Sequence, residues 1–193
     1  MTKKELRRIF RERRRALEMS EVERLSDLIA ENMIGFLKGR EISVVSRFSP
    51  MRDEREIDAG LIERRLRSKH PHFRVALPRV AKGSKTLEHV FVSDSTRFDE
   101  SDWGISEPIG EDDAKASDFD LVVVPLLCFD RDLNRVGYGG GFYDRFLAET
   151  KAECLKVGVS LFPPVGRIDE IHERDIPLDA VVTPLEVFAR TGR

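Results

Sequence analysis

The sequence predicts an α/β protein built on a layered sheet with substantial parallel content. Apolar runs of strand length, such as "DLVVVPLLCF" and "KVGVSLF", alternate with segments whose apolar residues recur at helical spacing. Strands that are apolar along their whole length are typical of parallel sheets covered by helices on both faces. At 193 residues and 40% hydrophobic content, the chain can form a single domain over residues 1–193.

Residues 3–38 are predicted to form two basic N-terminal helices. The first is expected to end near Met19, and its apolar face consists of Leu6, Ile9, Phe10 and Leu17. Ser20 and Glu23 have the spacing of a capping box and predict the start of the second helix, which Gly39 ends.

The remaining elements follow from local patterns. Strands are predicted at "ISVVSRF", "FRVALPRV" and "LEHVFVS", with a helix at "EIDAGLIERRLRSK". Residues 99–120 contain nine acidic residues against one lysine and are expected to be a solvated loop within the domain. After this loop we expect the buried strand "DLVVVPLLCF", a glycine loop at residues 135–144, the helix "FYDRFLAETKAE", and the strands "KVGVSLF" and "DAVVTP".

Charge and cysteine content narrow the class of protein. Residues 1–15 carry eight basic residues against two acidic ones, so this end carries +6 and the rest of the chain −8, which sum to the net −2. Such an end either binds an anionic partner or is a solvated helix face. Cys128 and Cys154 lack the spacing of a zinc site or a disulfide framework, and we expect both to be reduced.

No membrane or secretory segment is predicted. The basic N-terminus has no apolar stretch behind it, and the longest apolar run, residues 121–129, is far shorter than the roughly 20 residues that span a bilayer. A soluble, cytoplasmic protein is therefore expected.

The most informative stretch is "NRVGYGGGFYD" at residues 134–144. Ligands of open α/β sheets bind beyond the carboxyl ends of the strands, and this loop follows the most hydrophobic strand. A dinucleotide fingerprint needs glycine where Phe142 stands, and a phosphate loop needs a Lys-Ser or Lys-Thr pair that is absent here. What remains is a general anion cradle, in which bare glycine amides lie at the start of a helix.

Asp144 closes this loop, with Arg135 and Arg145 beside it. A carboxylate next to a phosphate is repelled unless a cation lies between them, and Mg²⁺ binds nucleotides through one or two carboxylates and the phosphates. Alternatively, Asp144 is a helix-start carboxylate favoured by the helix dipole. The residues alone leave both interpretations open.

The stretch "RVGYGGGFYDRFL" closely resembles the signature of the 5-formyltetrahydrofolate cyclo-ligase family, which runs roughly R-L-G-x-G-x-G-Y-Y-D. Other segments resemble the family in its own order: "KKELRRIFRERRRAL", "MSEVERLSDLI", "ALPRV", "WGISEP", "VVVPLLCFDRDLNR" and "DIPLDAVVTP". The resemblance implies a three-layer α/β/α sandwich like that of ribose-phosphate isomerases and coenzyme A transferases. It also implies ATP- and Mg²⁺-dependent closure of 5-formyltetrahydrofolate to 5,10-methenyltetrahydrofolate, with release of ADP and phosphate, through an imidate phosphate.

The resemblance also implies roles for particular residues. The ATP contacts would be Lys3, Lys4, Arg7, Arg135, Gly137, Tyr138, Gly139, Gly140, Gly141, Phe142 and Tyr143. The folate contacts would be Glu56, Trp103, Tyr138 and Phe142, and the magnesium-associated carboxylates Asp144 and Asp179. Residues 11–15 are then expected to be surface.

Three departures from the family pattern affect these roles. Ala59 stands where the glutamate motif usually has threonine, which leaves Glu54 competing with Glu56 for the folate contact. Phe142 replaces a frequent tyrosine, and Gly140 occupies a position that holds lysine in some members. None of these removes a group that the reaction requires.

Two other functions remain open at this point. The Arg-rich first helix could bind nucleic acid, in which case binding would fall steeply with salt. A protein of the same fold could also use ATP on another substrate. The interpretation we favour involves a small-molecule folate, with or without a polyglutamate tail, no nucleic acid, no membrane, and a monomer.

Overall fold

A large central sheet organises the chain. The computed structural model describes residues 1–69, 72–81, 83–101 and 104–190. The helices are α1 (Lys3–Arg15), α2 (Met19–Phe36), α3 (Ala59–Arg67) and α4 (Phe142–Glu149). The first six strands are β1 (Val44–Ser46), β2 (Arg74–Val80), β3 (Leu87–Val92), β4 (Arg97–Glu100), β5 (Ser106–Ile109) and β6 (Asp113–Ala114). The others are β7 (Leu121–Pro125), β8 (Cys128–Phe129), β9 (Arg135–Val136), β10 (Leu155–Val159), β11 (Ala180–Val182) and β12 (Val187–Ala189). Short 3-10 helices occupy Arg52–Glu54 and Ala116–Asp118.

The central sheet is mostly parallel, as predicted. Its order in the described chain is β12-β11-β10-β7-β1-β2-β3-β6. The five strands from β11 to β2 run parallel, whereas β12, β3 and β6 pair antiparallel at the edges. The apolar run "VVV" within β7 is buried on both faces because alternate residues point to opposite sides of a strand.

Helices cover both faces of this sheet. Val123 and its neighbours on one face pack with the buried residues of α1, α2 and α3. Val122 and Val124 face the other side, where Phe146 and Leu147 of α4 cover them. The predicted α/β class is therefore confirmed, with helices above and below the sheet.

Two predicted boundaries are wrong: the first helix ends at Arg15 and not near Met19, and the second does not start at the predicted capping box. The helix α2 begins at Met19 with Glu18 as its N-cap and no side-chain cap bond, so Ser20 and Glu23 do not form the predicted capping box. Ser20 lies within the first turn because α1 already ends at Arg15. A capping box exists instead at the start of α1, between Thr2 and Glu5.

The acidic segment is not a plain loop. The strand β4 begins just before this segment and pairs antiparallel with β5, and β6 joins the edge of the central sheet through β3. Acidic content misled the prediction because backbone pairing tolerates charged side chains that point to solvent, as those of β4 do. Trp103 lies outside the described residues.

A short hairpin positions the glycine loop. The strands β8 and β9 pair antiparallel after β7, and Leu127 N–H donates to Val136 O at 2.8 Å. The residues after Val136 are thereby returned to the carboxyl end of β7. Both cysteines are buried and free. None of the helices in the described ranges has the length and apolar content needed to cross a membrane.

Candidate functional site

The glycine loop presents main-chain donors at the start of α4. Gly139 and Gly141 have φ of +99° and +67°, values that favour glycine, and Gly141 is the N-cap of α4. None of the main-chain N–H groups of residues 137–144 donates a hydrogen bond to a described residue. These donors, together with the positive end of the helix dipole, suit an anion such as a phosphate.

The helix α1 lies against this loop. Arg7 Nε donates to Gly137 O at 2.9 Å, and a Cβ on Gly139 would lie 3.3 Å from the Arg7 guanidinium carbon. A side chain at this position would be strained by the φ of +99° and would require the arginine to shift. Lys3 is 8% exposed and its Nζ lies 2.5 Å from Asp175 Oδ2. Lys4, by contrast, is exposed and has no polar contact with the described residues.

Asp175 is a site carboxylate that no sequence pattern indicated. Partial burial acts to raise its pKa, but hydrogen bonds from His172 N–H and Lys3 lower that pKa overall. Its charge also acts on Arg135. Lys3 is thereby linked to the arginine that precedes the glycine loop.

Arg135 and Asp144 form an ion pair across the loop. Arg135 Nη2 lies 2.5 Å from Asp144 Oδ1, and Arg135 Nη1 donates to Ile176 O. Ile176 N–H donates to the same Asp144 oxygen at 3.3 Å. Burial lowers the pKa of Arg135, and the charge of Asp144 opposes this shift. Asp144 Oδ2 has no hydrogen-bond partner among the described residues and remains available to a ligand.

Asp179 has different partners. It precedes β11, where its carboxylate accepts from Lys156 N–H at 2.8 Å and its own N–H donates to Lys156 O at 2.9 Å. These bonds hold the start of β11 against β10. Within the described ranges, no group of three or more His, Cys, Asp and Glu side chains is arranged to hold a metal ion. The magnesium role of Asp144 and Asp179 stays a prediction.

A buried polar cluster surrounds the hydroxyl of Tyr138 in the loop. Tyr138 OH donates to Glu56 Oε1 at 2.6 Å, and Met51 N–H donates to Glu56 Oε2 at 2.8 Å. Arg14 Nη2 donates to the Tyr138 hydroxyl at 2.5 Å and lies 3.8 Å from Glu56 Oε1. Burial raises the pKa of Glu56, and the charge of Arg14 opposes the rise. Burial and the charge of Glu56 raise the pKa of Tyr138.

The structure distinguishes the two competing glutamates. Glu56 is 7% exposed and contacts Tyr138 in the glycine loop. Glu54 instead pairs with Arg15 at 2.5 Å and with Arg11 at 3.6 Å. Glu56 is therefore the glutamate that contacts the glycine loop, and its contact with folate stays a prediction.

Two aromatic residues of the loop have distinct environments. The ring of Phe142 lies beside Gly140 and 5.6 Å from the Arg145 guanidinium carbon. The Tyr143 hydroxyl is buried and has no hydrogen-bond partner in the described part of the chain.

The prediction that residues 11–15 are surface is wrong for Arg14. This side chain is 3% exposed and donates to Glu54 O, Leu126 O and Tyr138 OH. The spacing of Arg7, Arg11 and Arg14 places them on one helix face, which is the signal that could have identified it. The run of neighbouring arginines obscured that spacing.

Comparisons with known proteins identify the family of this chain. The sequence profile described as the 5-formyltetrahydrofolate cyclo-ligase family matches residues 1–184. A 5-formyltetrahydrofolate cyclo-ligase of Mus musculus is 30% identical, over 91% of this chain and 95% of the relative. A probable 5-formyltetrahydrofolate cyclo-ligase of Schizosaccharomyces pombe is 35% identical, over 55% of this chain and 59% of the relative.

Solved structures extend the comparison to the fold. The 5,10-methenyltetrahydrofolate synthetase of Aquifex aeolicus superposes with a TM-score of 0.82 at 29% identity, covering 100% of this chain and 95% of that one. The synthetase of Mycoplasma pneumoniae has a TM-score of 0.72 at 21% identity, over 95% and 99% of the two chains, and supports the fold alone. The profile match and the near full-length mouse relative show that this chain is an enzyme of the 5-formyltetrahydrofolate cyclo-ligase family.

Proposed function

We propose that the chain closes 5-formyltetrahydrofolate to 5,10-methenyltetrahydrofolate at the expense of ATP, releasing ADP and phosphate. The observation that carries the proposal is the run of main-chain N–H groups at residues 137–144 that have no hydrogen-bond partner among the described residues. Arg135 precedes this loop and pairs with Asp144, and the loop is also bonded to Arg7 through Gly137 and to Glu56 through Tyr138. The main-chain donors suit the anionic triphosphate. The buried carboxylate of Glu56, which accepts hydrogen bonds, suits a neutral heterocycle beside it.

The triphosphate would be held near the N-terminal end of α1. Lys3, Arg7 and Arg135 supply charge there, and the glycine amides supply donors. Lys3 and Arg135 are now paired with Asp175 and Asp144, so a bound phosphate would compete with those carboxylates. Lys4 is exposed and free to reach a phosphate from solvent.

Magnesium fits this site as an ion held mainly by the nucleotide. Mg²⁺ keeps several waters and binds through one or two carboxylates plus substrate phosphates, so a dedicated protein cage is not required. The second oxygen of Asp144 is the donor that we assign to it, and Asp179 is the second carboxylate that the family pattern implies. When bound, the ion would neutralise negative charge on the phosphates.

The folate would lie over Tyr138, Phe142 and Glu56. Each oxygen of Glu56 accepts one hydrogen bond within the chain and keeps a lone pair for a ring N–H of the substrate. The formyl oxygen attacks the γ-phosphorus and ADP leaves, so the formyl group is converted to an imidate phosphate. N10 then attacks that carbon, the C–O bond to phosphate breaks, and N10 loses its proton. The protein contributes mainly alignment and cationic charge.

The basic N-terminus supports this proposal over nucleic-acid binding. Arg14 is buried, Arg15 pairs with Glu54, and Arg8 pairs with Glu12. Much of the positive charge of α1 is thus directed inward or neutralised. We expect a monomer that acts in the cytoplasm on a small-molecule folate.

The decisive experiment uses the near-ultraviolet absorbance of methenyltetrahydrofolate. Purified protein, 5-formyltetrahydrofolate, ATP and Mg²⁺ should generate this chromophore, and omission of either ATP or Mg²⁺ should abolish it. Asp144→Asn should impair turnover, whereas Asp132→Asn, at an exposed aspartate in the preceding turn, should not. Folded wild-type protein that yields no chromophore would overturn the proposal.

A further inference from the structure

We infer that Arg14 is a positioning residue that holds Tyr138 and Glu56 in place for the folate. The inference rests on the proposed function, because it assigns a role within the same site. Nothing in the glycine signature points to Arg14, which lies in a helix more than a hundred residues away.

The guanidinium is itself fixed by the main chain. Arg14 Nε donates to Glu54 O at 2.8 Å and Nη1 donates to Leu126 O at 3.4 Å. Leu126 directly follows β7, and Glu54 belongs to the segment that leads to Glu56. Arg14 therefore links α1 both to the carboxyl end of β7 and to the segment that leads to Glu56.

The remaining nitrogen sets the direction of the Tyr138 hydroxyl. An arginine can only donate, so the hydroxyl accepts from Arg14 Nη2 and has its single proton left for Glu56. Without Arg14 the hydroxyl could rotate or accept from water. The Glu56 carboxylate would also lose its buried cationic neighbour at 3.8 Å.

The arginines of one α1 face contact successive parts of the loop. Arg7 binds Gly137 O, the Arg11 guanidinium carbon lies 5.1 Å from the centre of the Tyr138 ring, and Arg14 binds the Tyr138 hydroxyl. The phosphate-binding end of the helix and its Tyr138 end are thus parts of one rigid element. Loss of Arg14 should affect the folate end first.

The test compares Arg14→Met, Arg14→Lys and the matched control Arg8→Met, which removes an exposed arginine from the same helix. We expect the KM for 5-formyltetrahydrofolate to rise about 10- to 100-fold in Arg14→Met, with the KM for ATP changed less than about threefold. Arg14→Lys should be intermediate, because lysine keeps the charge but cannot reach all three acceptors. Arg8→Met should stay within about twofold.

A double-mutant cycle with Tyr138→Phe isolates the positioning role. If Arg14 acts through the hydroxyl, Arg14→Lys should raise the folate KM much less in the Tyr138→Phe background than in wild type. An equal rise in both backgrounds, or equal losses toward folate and ATP, would overturn the inference. Should Arg14→Met fail to fold by circular dichroism, the lysine variant and the cycle still decide the question.

Wild-type protein without turnover would count against the proposed function and not against Arg14. The same cycle would then be measured on binding of 5-formyltetrahydrofolate by calorimetry. Coupling between the two positions in binding would support the role of Arg14, and its absence would overturn it.

Discussion

His89 should make the fold sensitive to mild acid. This residue of β3 is 3% exposed, and its ring stacks on Phe146 with centroids 4.0 Å apart and meets the edge of Phe119 at 5.1 Å. Its Nε2 is buried with no hydrogen-bond partner among the described residues. Burial lowers the pKa of His89 from 6.5 to about 3. The neutral ring is therefore the form that the folded protein accommodates.

The sign and size of the effect follow from proton linkage. Because the unfolded chain takes up this proton first, the contribution to stability is complete above pH 6.5 and is lost progressively as the pH falls toward 3. Between about pH 8 and pH 5 the free energy of unfolding should drop by about 2 kcal/mol on account of His89 alone.

Urea unfolding of wild type and His89→Phe at these two pH values measures the effect. The variant keeps an aromatic ring between Phe119 and Phe146 but has no group to protonate, so its loss of stability should be about 2 kcal/mol smaller. Carboxylates titrate alike in both proteins and cancel in the difference. An identical loss in the two proteins, or a native His89 titrating near 6.5 by NMR, would refute the reasoning.

Three further predictions concern the site and the thiols. Gly139→Ala should raise the KM for ATP about tenfold, because the φ of +99° and the Arg7 side chain oppose a Cβ. The control Gly83→Ala, at a glycine that also has a positive φ but lies in open space, should leave that KM unchanged. Tyr143→Phe removes a buried hydroxyl that has no partner among the described residues, so chemical denaturation should show a free energy of unfolding that is unchanged or up to about 1 kcal/mol higher. A clearly lower free energy of unfolding would reveal a hydrogen bond to that hydroxyl. Burial raises the thiol pKa of Cys128 to about 12 and that of Cys154 to about 11. Neither thiol should therefore react with a thiol reagent at about pH 8 until the protein is unfolded, and rapid labelling of the native protein would contradict this.

Much of the fold could be predicted because its signals are local. The apolar run at β7 indicates a strand buried on both faces, and the glycine pattern of residues 137–141 indicates a loop with a permissive backbone. Errors arose where local signals compete. Ser20 has a capping side chain, yet the shorter α1 places it inside the next helix, and an acidic segment pairs as strands when its charges face water.

The sequence by itself therefore determined the α/β class and the stretch of chain that forms the loop, since periodicity and composition act over a few residues. Its glycine signature also carried the family resemblance. Only the tertiary structure decided which charges lie inside. Whether Arg14 is buried, and whether Glu56 or Glu54 meets Tyr138, depends on how α1 and the segment that leads to Glu56 pack at the end of β7. The same packing pairs Arg135 with Asp144 and Lys3 with Asp175. Such contacts join residues that are far apart in the chain. The energy of burying a charge next to its partner depends on both residues, so a local sequence pattern does not predict it.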